Sequence, residues 1–426
     1  MTIAIFLGSL LGAMAIGMPI AFALILCGIA LMIHLDNFDA QIIATNIING
    51  ADSFPLMAVP FFLLAGEIMN AGGLSRRIVA FAMALVGHVR GGLGYVTVVA
   101  GCLLATVSGS AVADAAALSS LLVPMMVAAG HDRNRSGGLV AASGIIGPII
   151  PPSIAFVLFG VAGGLSITKL FLAGIVPGLM LGAALVLAWW WMMRGESVVV
   201  QPRRSGRDVV RALIDGFWAL MLPVIIIVGL KFGVFTPTEA AVVAAVYALL
   251  IATFVYREIS PRGLYDVFLS AARTTGVIMF LVAASLVSAW LITVAELPAK
   301  LVELLSPFID RPILLMALMM LAVLVIGGPM DMAPTILILT PILLPVVKEA
   351  GIDPIYFGVL FVINNAIGLI TPPVGTVLNV VCGVSKISMD DLLKGVMPFL
   401  LAEIAVLCLL ILFPPLVTVP LGWFLG

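Results

Sequence analysis

Four short stretches of this chain combine helix-breaking residues with oxygen-bearing side chains, and all four lie in apolar surroundings. They are Ser108-Gly109-Ser110-Ala111-Val112-Ala113-Asp114, Gly147-Pro148-Ile149-Ile150-Pro151-Pro152-Ser153, Gly327-Gly328-Pro329-Met330-Asp331-Met332-Ala333-Pro334-Thr335, and Gly368-Leu369-Ile370-Thr371-Pro372-Pro373-Val374-Gly375. A helix broken inside a bilayer frees backbone N–H and C=O groups, each costly unless something binds it. Half-helix N-termini offer a partial positive charge to an anion, while C-terminal carbonyls and hydroxyls can surround a small hard cation. The four stretches supply oxygen ligands and contain neither histidine nor cysteine. That supply suits sodium rather than a transition metal.

Two sodium sites are therefore expected where each break meets a neighbouring tip. The first draws on Ser108, Ser110, Gly147, Pro151 and Ser153, and the second on Gly327, Asp331, Thr335, Thr371 and Gly375. An anionic substrate is expected between the tips, touching Ser108, Gly109, Asp114, Ser153, Gly328, Pro334, Asn364, Asn365 and Thr371. Neither tip carries a lysine or arginine, so dipoles, bound sodium and hydroxyls must neutralise the anion. Asp114 and Asp331 either cap the helix that follows each tip or take part directly, and the two roles are compatible. Asn364 and Asn365 either hold the crossover or touch substrate. Glu67 and Glu239 read as scaffold hydrogen-bonders, and the Met316, Met319, Met320 run reads as packing. His34, His88 and His131 fall near segment ends and suggest no proton relay.

The elements that carry these stretches are membrane spans. Of 426 residues, 63% are hydrophobic and only 10% charged, against ~25% charged in ordinary globular proteins. A net charge of -1 leaves no basic surface for nucleic acid. Cys27, Cys102, Cys382 and Cys408 sit in apolar runs without CxxC or Cys/His pairing, which excludes a zinc site or disulfide framework. Apolar segments are expected near 2–33, 54–71, 76–89, 93–129, 137–160, 166–193, 212–232, 238–256, 272–295, 312–350, 355–381 and 396–424. The first has no short signal-type core, so it is expected to stay in the membrane. Segments 93–129 and 312–350 are too long for one crossing and are cut at Ser108-Gly109-Ser110 and Gly327-Gly328-Pro329, so each reads as two arms meeting at a tip. Segments 137–160 and 355–381 are interrupted by Pro151-Pro152 and Pro372-Pro373.

Arg194, Arg203, Arg204, Arg207 and Arg211 mark the stretch 194–211 as a cytoplasmic linker. Trp189, Trp190, Trp191 and Trp218 flank it as an interfacial belt would. It divides an internal repeat. A shift of 221 positions pairs Pro124 with Pro345, Gly130 with Gly351, Gly147 with Gly368, Pro151 with Pro372, Pro152 with Pro373, Gly174 with Gly395, and Pro177 with Pro398. Residues 1–193 form the first copy, with scaffold helices over 1–90 and a hairpin plus broken helix over 93–177. Residues 212–426 form the second, with scaffold over 212–310, hairpin and broken helix over 312–398, and a terminal helix over 399–426. Spacing alone leaves open whether the copies are parallel or inverted.

No catalytic set emerges. A membrane aspartyl hydrolase would use Asp114 and Asp331 as a dyad, yet its GxGD context is missing, and no GxxxxGK[ST] loop supports an ATP-driven pump. A channel would need one continuous pore and no coupling.

The same motifs resemble the large membrane subunit of tripartite ATP-independent periplasmic (TRAP) transporters, the DctM family of the ion transporter superfamily. The resemblance extends through Ala58-Val59-Pro60-Phe61-Phe62-Leu63-Leu64-Ala65-Gly66-Glu67-Ile68-Met69, the tip 108–114, Pro148-Ile149-Ile150-Pro151-Pro152-Ser153, Phe235-Thr236-Pro237-Thr238-Glu239-Ala240 and Ile370-Thr371-Pro372-Pro373-Val374-Gly375. It implies an all-α polytopic membrane protein of the bacterial inner membrane, with two inverted repeats, two re-entrant hairpins, two unwound helices and an elevator-type motion. It further implies sodium coupling without another cofactor, a separate small four-helix membrane subunit, and a periplasmic binding protein delivering a small organic anion such as a sugar acid. A self-sufficient sodium or proton symporter of the same superfamily, needing no binding protein, is the alternative.

Overall fold

The computed structural model describes residues 2–196, 205–328, 330–372 and 374–425, which leaves Arg203, Arg204, Pro329 and Pro373 outside the described residues. The described residues form helices and no strands. In chain order, α1 (Thr2–Ala15), α2 (Ile20–His34), α3 (Ala40–Ala51), α4 (Ala58–Ala71) and α5 (Leu74–Val86) precede a helix pair, α6 (Gly92–Ser108) and α7 (Ala111–Ala128). An interrupted helix follows as α8 (Arg133–Gly144) and α9 (Ile154–Gly163), and then the long α10 (Ile167–Met193). The second half contains α11 (Gly206–Lys231), α12 (Pro237–Leu250), α13 (Pro261–Val294) and α14 (Leu297–Ile309). A second pair, α15 (Pro312–Gly327) and α16 (Met332–Glu349), leads to a second interrupted helix, α17 (Pro354–Gly368) and α18 (Thr376–Ser385), followed by α19 (Met389–Leu412) and α20 (Pro415–Leu425). Among the described residues, eight helices, or helix plus adjoining turn, are long and apolar enough to cross a membrane.

Caps explain many starts. Ser110, Asp132, Ser153 and Ser166 each accept a backbone N–H from the first turn of α7, α8, α9 and α10, and Asp353 and Ser388 do so for α17 and α19. Thr236 and Glu239 form a reciprocal capping box on α12, so Glu239 hydrogen-bonds at the start of its own helix. The 221-residue shift carries α7 onto the bounds of α16, and the capping Asp132 onto Asp353.

Several boundaries differ from expectation. The 2–33 segment is two helices, because Gly17 takes a left-handed φ of +82° and Pro19 precedes α2. The 396–424 segment divides likewise between α19 and α20 ahead of Pro415. The helix α11 begins at Gly206, so Arg207 and Arg211 of the linker are helical. Neither α3 nor α14 was anticipated, because neither is long or apolar enough to stand out in a hydropathy reading. Trp189 does not belong to an interfacial belt: it is fully buried, its indole N–H donates to Gly91 O at 2.8 Å, and its ring stacks on Phe399. Trp190, Trp191 and Trp218 remain substantially exposed, and Arg194 lies over the Trp190 ring.

Packing is crosswise between the halves. The first-half segment α9 lies on α16, while the second-half segment α18 lies on α7. Likewise α8 packs on α19 and α17 on α10. The α8/α19 crossing is close enough that a Cβ on Gly138 would stand 2.4 Å from the Gly395 backbone. Around this body, α4 packs on α12 and α13, and α13 also contacts α2 and α3. Glu67 on α4 accepts from Ser270 Oγ on α13 at 3.2 Å, a bond internal to that outer layer.

Trp189 rests directly on Gly94, where an added Cβ would come within 2.0 Å of the ring. We expect Gly94→Ala to displace the indole, lose its hydrogen bond and cost about 2 kcal/mol or more. Thermal unfolding of the detergent-solubilised protein should show the lowered midpoint, with Trp189→Phe less damaging than Gly94→Ala.

Candidate functional site

The turn between α6 and α7 is made by Gly109, whose φ of +58° favours glycine and whose added Cβ would stand 2.6 Å from Pro152 O. This tip therefore sits on the unwound stretch between α8 and α9. Ser108 Oγ donates to Asp114 Oδ1 at 2.6 Å and accepts from Ser110 N–H at 3.1 Å. The cap of α7 is Ser110 rather than Asp114, which lies one turn further in and is buried. Its second oxygen, Oδ2, has no hydrogen-bond partner and faces Gly147, where an added Cβ would be 2.5 Å away. The Ser110 backbone and Gly144 O border the same point. Ser153, fully buried, donates to Pro148 O and caps α9 through Phe156 N–H, which holds the break in shape. Pro151 joins Pro152 through a cis peptide bond within the same break.

The second half places a different set at its break. Gly327, at the end of α15, lies against Asn365 and Thr335, whose side-chain oxygens would stand 3.1 and 3.6 Å from an added Cβ. Thr335 Oγ1 donates back to Asp331 O at 2.9 Å. Asn365 Nδ2 donates to Met332 O at 3.1 Å, leaving its Oδ1 buried without a partner. Gly368, where the break begins, lies beside Gly327 and Gly328. Asp331 occupies the N-cap position of α16 without a side-chain capping bond, and it is exposed. Thr371 turns its hydroxyl back to Ile367 O at 2.8 Å, and Gly375 precedes α18 with φ of +48°. Asn364 donates to Met320 O at 2.6 Å, tying α17 to α15.

A cleft of about 320 Å³ joins the two tips. Gly109, Ser110 and Asp331 line it together with Pro148 and Leu369, one residue from each break. The opposite wall belongs to Leu63 on α4 and to Thr274, Val277 and Ile278 on α13. Of the residues singled out from sequence, Ser108, Asp114, Gly147, Pro151 and Ser153 gather under the first tip, and Gly327, Gly328, Thr335 and Asn365 gather under the second. Pro334 is buried in α16, and neither it nor Asn364, Thr371 or Gly375 lines the cleft. Sequence reasoning missed the α4 and α13 wall, because its residues belong to uninterrupted apolar helices with no motif to mark them.

The arrangement can do ion and anion chemistry. Among the described residues, no group of three His, Cys, Asp or Glu side chains could hold a transition metal. Each half instead offers a buried side-chain oxygen lacking a partner beside a helix break, and the cleft between offers backbone and hydroxyl groups to a small polar molecule.

Comparison with known proteins gives a consistent result. Residues 7–416 match the family model described as the tripartite ATP-independent periplasmic transporter, DctM component. The chain is 57% identical over 423 residues to the 2,3-diketo-L-gulonate TRAP transporter large permease protein YiaN of Escherichia coli (strain K12), covering 99% of this chain and 100% of that one. It is 38% identical over 416 residues to the sialic acid TRAP transporter large permease protein SiaM of Vibrio cholerae serotype O1, covering 98% and 97%. Among solved structures, the YdaH transporter of Alcanivorax borkumensis aligns with a TM-score of 0.66 over 91% of each chain at 16% identity, a likeness of fold alone.

The contact between Gly147 and Asp114 yields a direct test. Gly147→Ala should push the carboxylate off the break and cost ~1–3 kcal/mol as an overpacked site. Gly383→Ala, on a helix with nothing within 4 Å of the added Cβ, should be neutral or slightly stabilising by helix propensity. Equal melting shifts for the two variants would contradict the tight contact.

Proposed function

Because the chain belongs to the DctM family of tripartite ATP-independent periplasmic (TRAP) transporters, we propose that it imports a small organic anion across the bacterial inner membrane using the sodium gradient. It is a transport permease and not an enzyme. The substrate class proposed is a sugar acid or related carboxylate, since the relative at 57% identity is named for 2,3-diketo-L-gulonate and the one at 38% for sialic acid. Its partners in this reading are a small four-helix membrane subunit on a separate chain and a periplasmic binding protein that delivers the substrate.

The observation that carries this reading is the pair of tips seated on helix breaks, each with one unpartnered buried oxygen, facing one shared cleft. In the proposed mechanism sodium enters each half beside that oxygen, Asp114 Oδ2 in the first and Asn365 Oδ1 in the second. Ser110 and Gly144 carbonyls complete the first set, and Asp331 O with Thr335 Oγ1 the second. Substrate then lies in the cleft with its carboxylate toward the start of α7 and α16, where helix N-termini favour an anion. The bound cations offset both the buried Asp114 charge and the substrate charge, so ion and substrate binding assist each other. Coupling of this kind is reciprocal in free energy.

Motion follows from the same constraint. The tips pack directly on the breaks, so they travel as one body against a scaffold of α4 and α11–α13. The 221-residue offset and the crosswise packing support two copies within that body, which in this reading are inverted.

Three outcomes are expected in liposomes containing this chain and the small subunit. Uptake should require sodium and the binding protein together; uptake without the binding protein would instead indicate a self-sufficient symporter. Asp114→Asn should raise the sodium concentration needed for half-maximal uptake while leaving protein abundance near wild type, and an unchanged sodium dependence would remove Asp114 from the ion site. A cysteine at Ala111 crosslinked to one at Val277 across the cleft should stop transport, whereas full-rate uptake by the crosslinked protein would refute a moving tip.

A further inference from the structure

A second and larger cleft, of about 820 Å³, lies far from the tips in sequence, between the start of α5, the first half of α11 and the turn joining α12 to α13. Its chemistry is layered. Arg76 and Arg77 on α5 and Arg211 on α11 bring positive charge, while Asp208, Asp215 and Glu258 bring an equal number of carboxylates. Below them, Ile214, Trp218 and Val255 form an apolar wall and are themselves 65%, 42% and 46% exposed. Arg211 closes the Arg-rich linker and Trp218 and Tyr256 are amphipathic side chains of the kind found at headgroup depth, which points to a cleft at the membrane interface.

The pairing within the cleft separates engaged charges from available ones. Burial pushes Glu258 up, but the Arg77 and Arg76 guanidiniums beside it outweigh that and hold it below the usual carboxylate range. Arg77 is further sandwiched by its stacking on Tyr256 at 3.7 Å. Asp208 is held by the Ser205 cap of α11. Arg76 also pairs with Glu258 through one Nη but keeps its side chain 66% exposed, so only its outer edge is open, while Arg211 and Asp215, one helical turn apart on α11, are both exposed. The available groups are therefore cationic and anionic in adjacent positions, above an exposed apolar surface.

We propose that this cleft binds the headgroup of an aminophospholipid, with the phosphate on Arg211 and the outer edge of Arg76, the ammonium on Asp215, and the acyl chains over Ile214, Trp218 and Val255. The balanced charge of the lining selects a zwitterion over an anion, since an anionic headgroup would face Asp215 without a partner for it. A primary ammonium donates hydrogen bonds that a trimethylated one does not, so phosphatidylethanolamine is favoured over phosphatidylcholine. Bound there, the lipid bridges α5, which leads into the first helix pair, to α11 and the α12–α13 turn.

The test uses the purified full chain in nanodiscs of dioleoyl phosphatidylethanolamine, phosphatidylcholine or phosphatidylglycerol at equal mole fraction, read by lipid retention in native mass spectrometry and by melting midpoint. Phosphatidylethanolamine should be retained best and should raise the midpoint most. Arg211→Ala should weaken its retention on the order of fivefold, the effect of one basic residue near a membrane surface. Asp215→Asn should abolish the preference for phosphatidylethanolamine over phosphatidylcholine while preserving retention of both. Equal retention of the three lipids, stronger retention of phosphatidylglycerol, or unchanged retention in both variants would overturn the proposal. Stabilisation by soluble glycerophosphoethanolamine to the same extent as by the lipid would likewise overturn it, by assigning the cleft to a soluble phosphate.

Discussion

Backbone N–H and C=O groups that leave a helix inside a membrane have no water to turn to, and the architecture of this protein follows from that constraint. Each unwound stretch is covered by a helix tip, and each tip is covered by an unwound stretch. Gly109 lies against Pro152 and Ser153 in one half, and Gly327 lies against Gly368 in the other. Glycine is required at the first meeting, where an added Cβ on Gly109 would stand 2.6 Å from Pro152 O, whereas the second leaves ordinary van der Waals room at Gly368. The breaks hold their own backbone groups largely in local turns, and the contact with a tip keeps those turns shielded from lipid.

The two halves solve the same problem with different side chains. At the first break a carboxylate, Asp114, keeps one oxygen unpaired beside Gly147; at the second an amide, Asn365, does so beside Gly327. The positions are not repeat-equivalent, since the 221 offset carries Asp114 to Thr335 and Ser110 to Asp331. In the sodium-coupled reading proposed above, a carboxyl group at one break and an amide at the other would give two cation sites of unequal strength. Ions would then load in a preferred order, the carboxylate site first.

The helix breaks were legible because their signal is local. Gly-Pro clusters interrupt otherwise apolar runs, and serine caps restart the helices at Ala111 and Ile154 in the first half. What escaped was the assignment of faces. In a soluble protein an apolar stripe identifies the buried side, but here lipid-facing and protein-facing surfaces are both apolar, so periodicity carries little information. Trp189 shows the consequence: composition placed it in an interfacial belt with Trp190 and Trp191, whereas only its seat on Gly94 reveals it as core. Leu63 and Val277, which wall the cleft, were invisible for the same reason. Gly17 and Pro19 did mark the division of the first segment, yet their weight was lost within a long apolar run.

The wall opposite the tips has a further consequence. Leu63, Val277 and Ile278 present hydrocarbon to the cleft, and Thr274 adds a single hydroxyl. Cargo held by the tips would meet almost no directional bonding on that side, so sliding along it would break few hydrogen bonds. In the motion proposed above, such a surface would act as a greased bearing, resisting tilting through close contact while offering little friction to translation. Adding polar groups there would create resting points along the path, and slow the passage without altering what is carried.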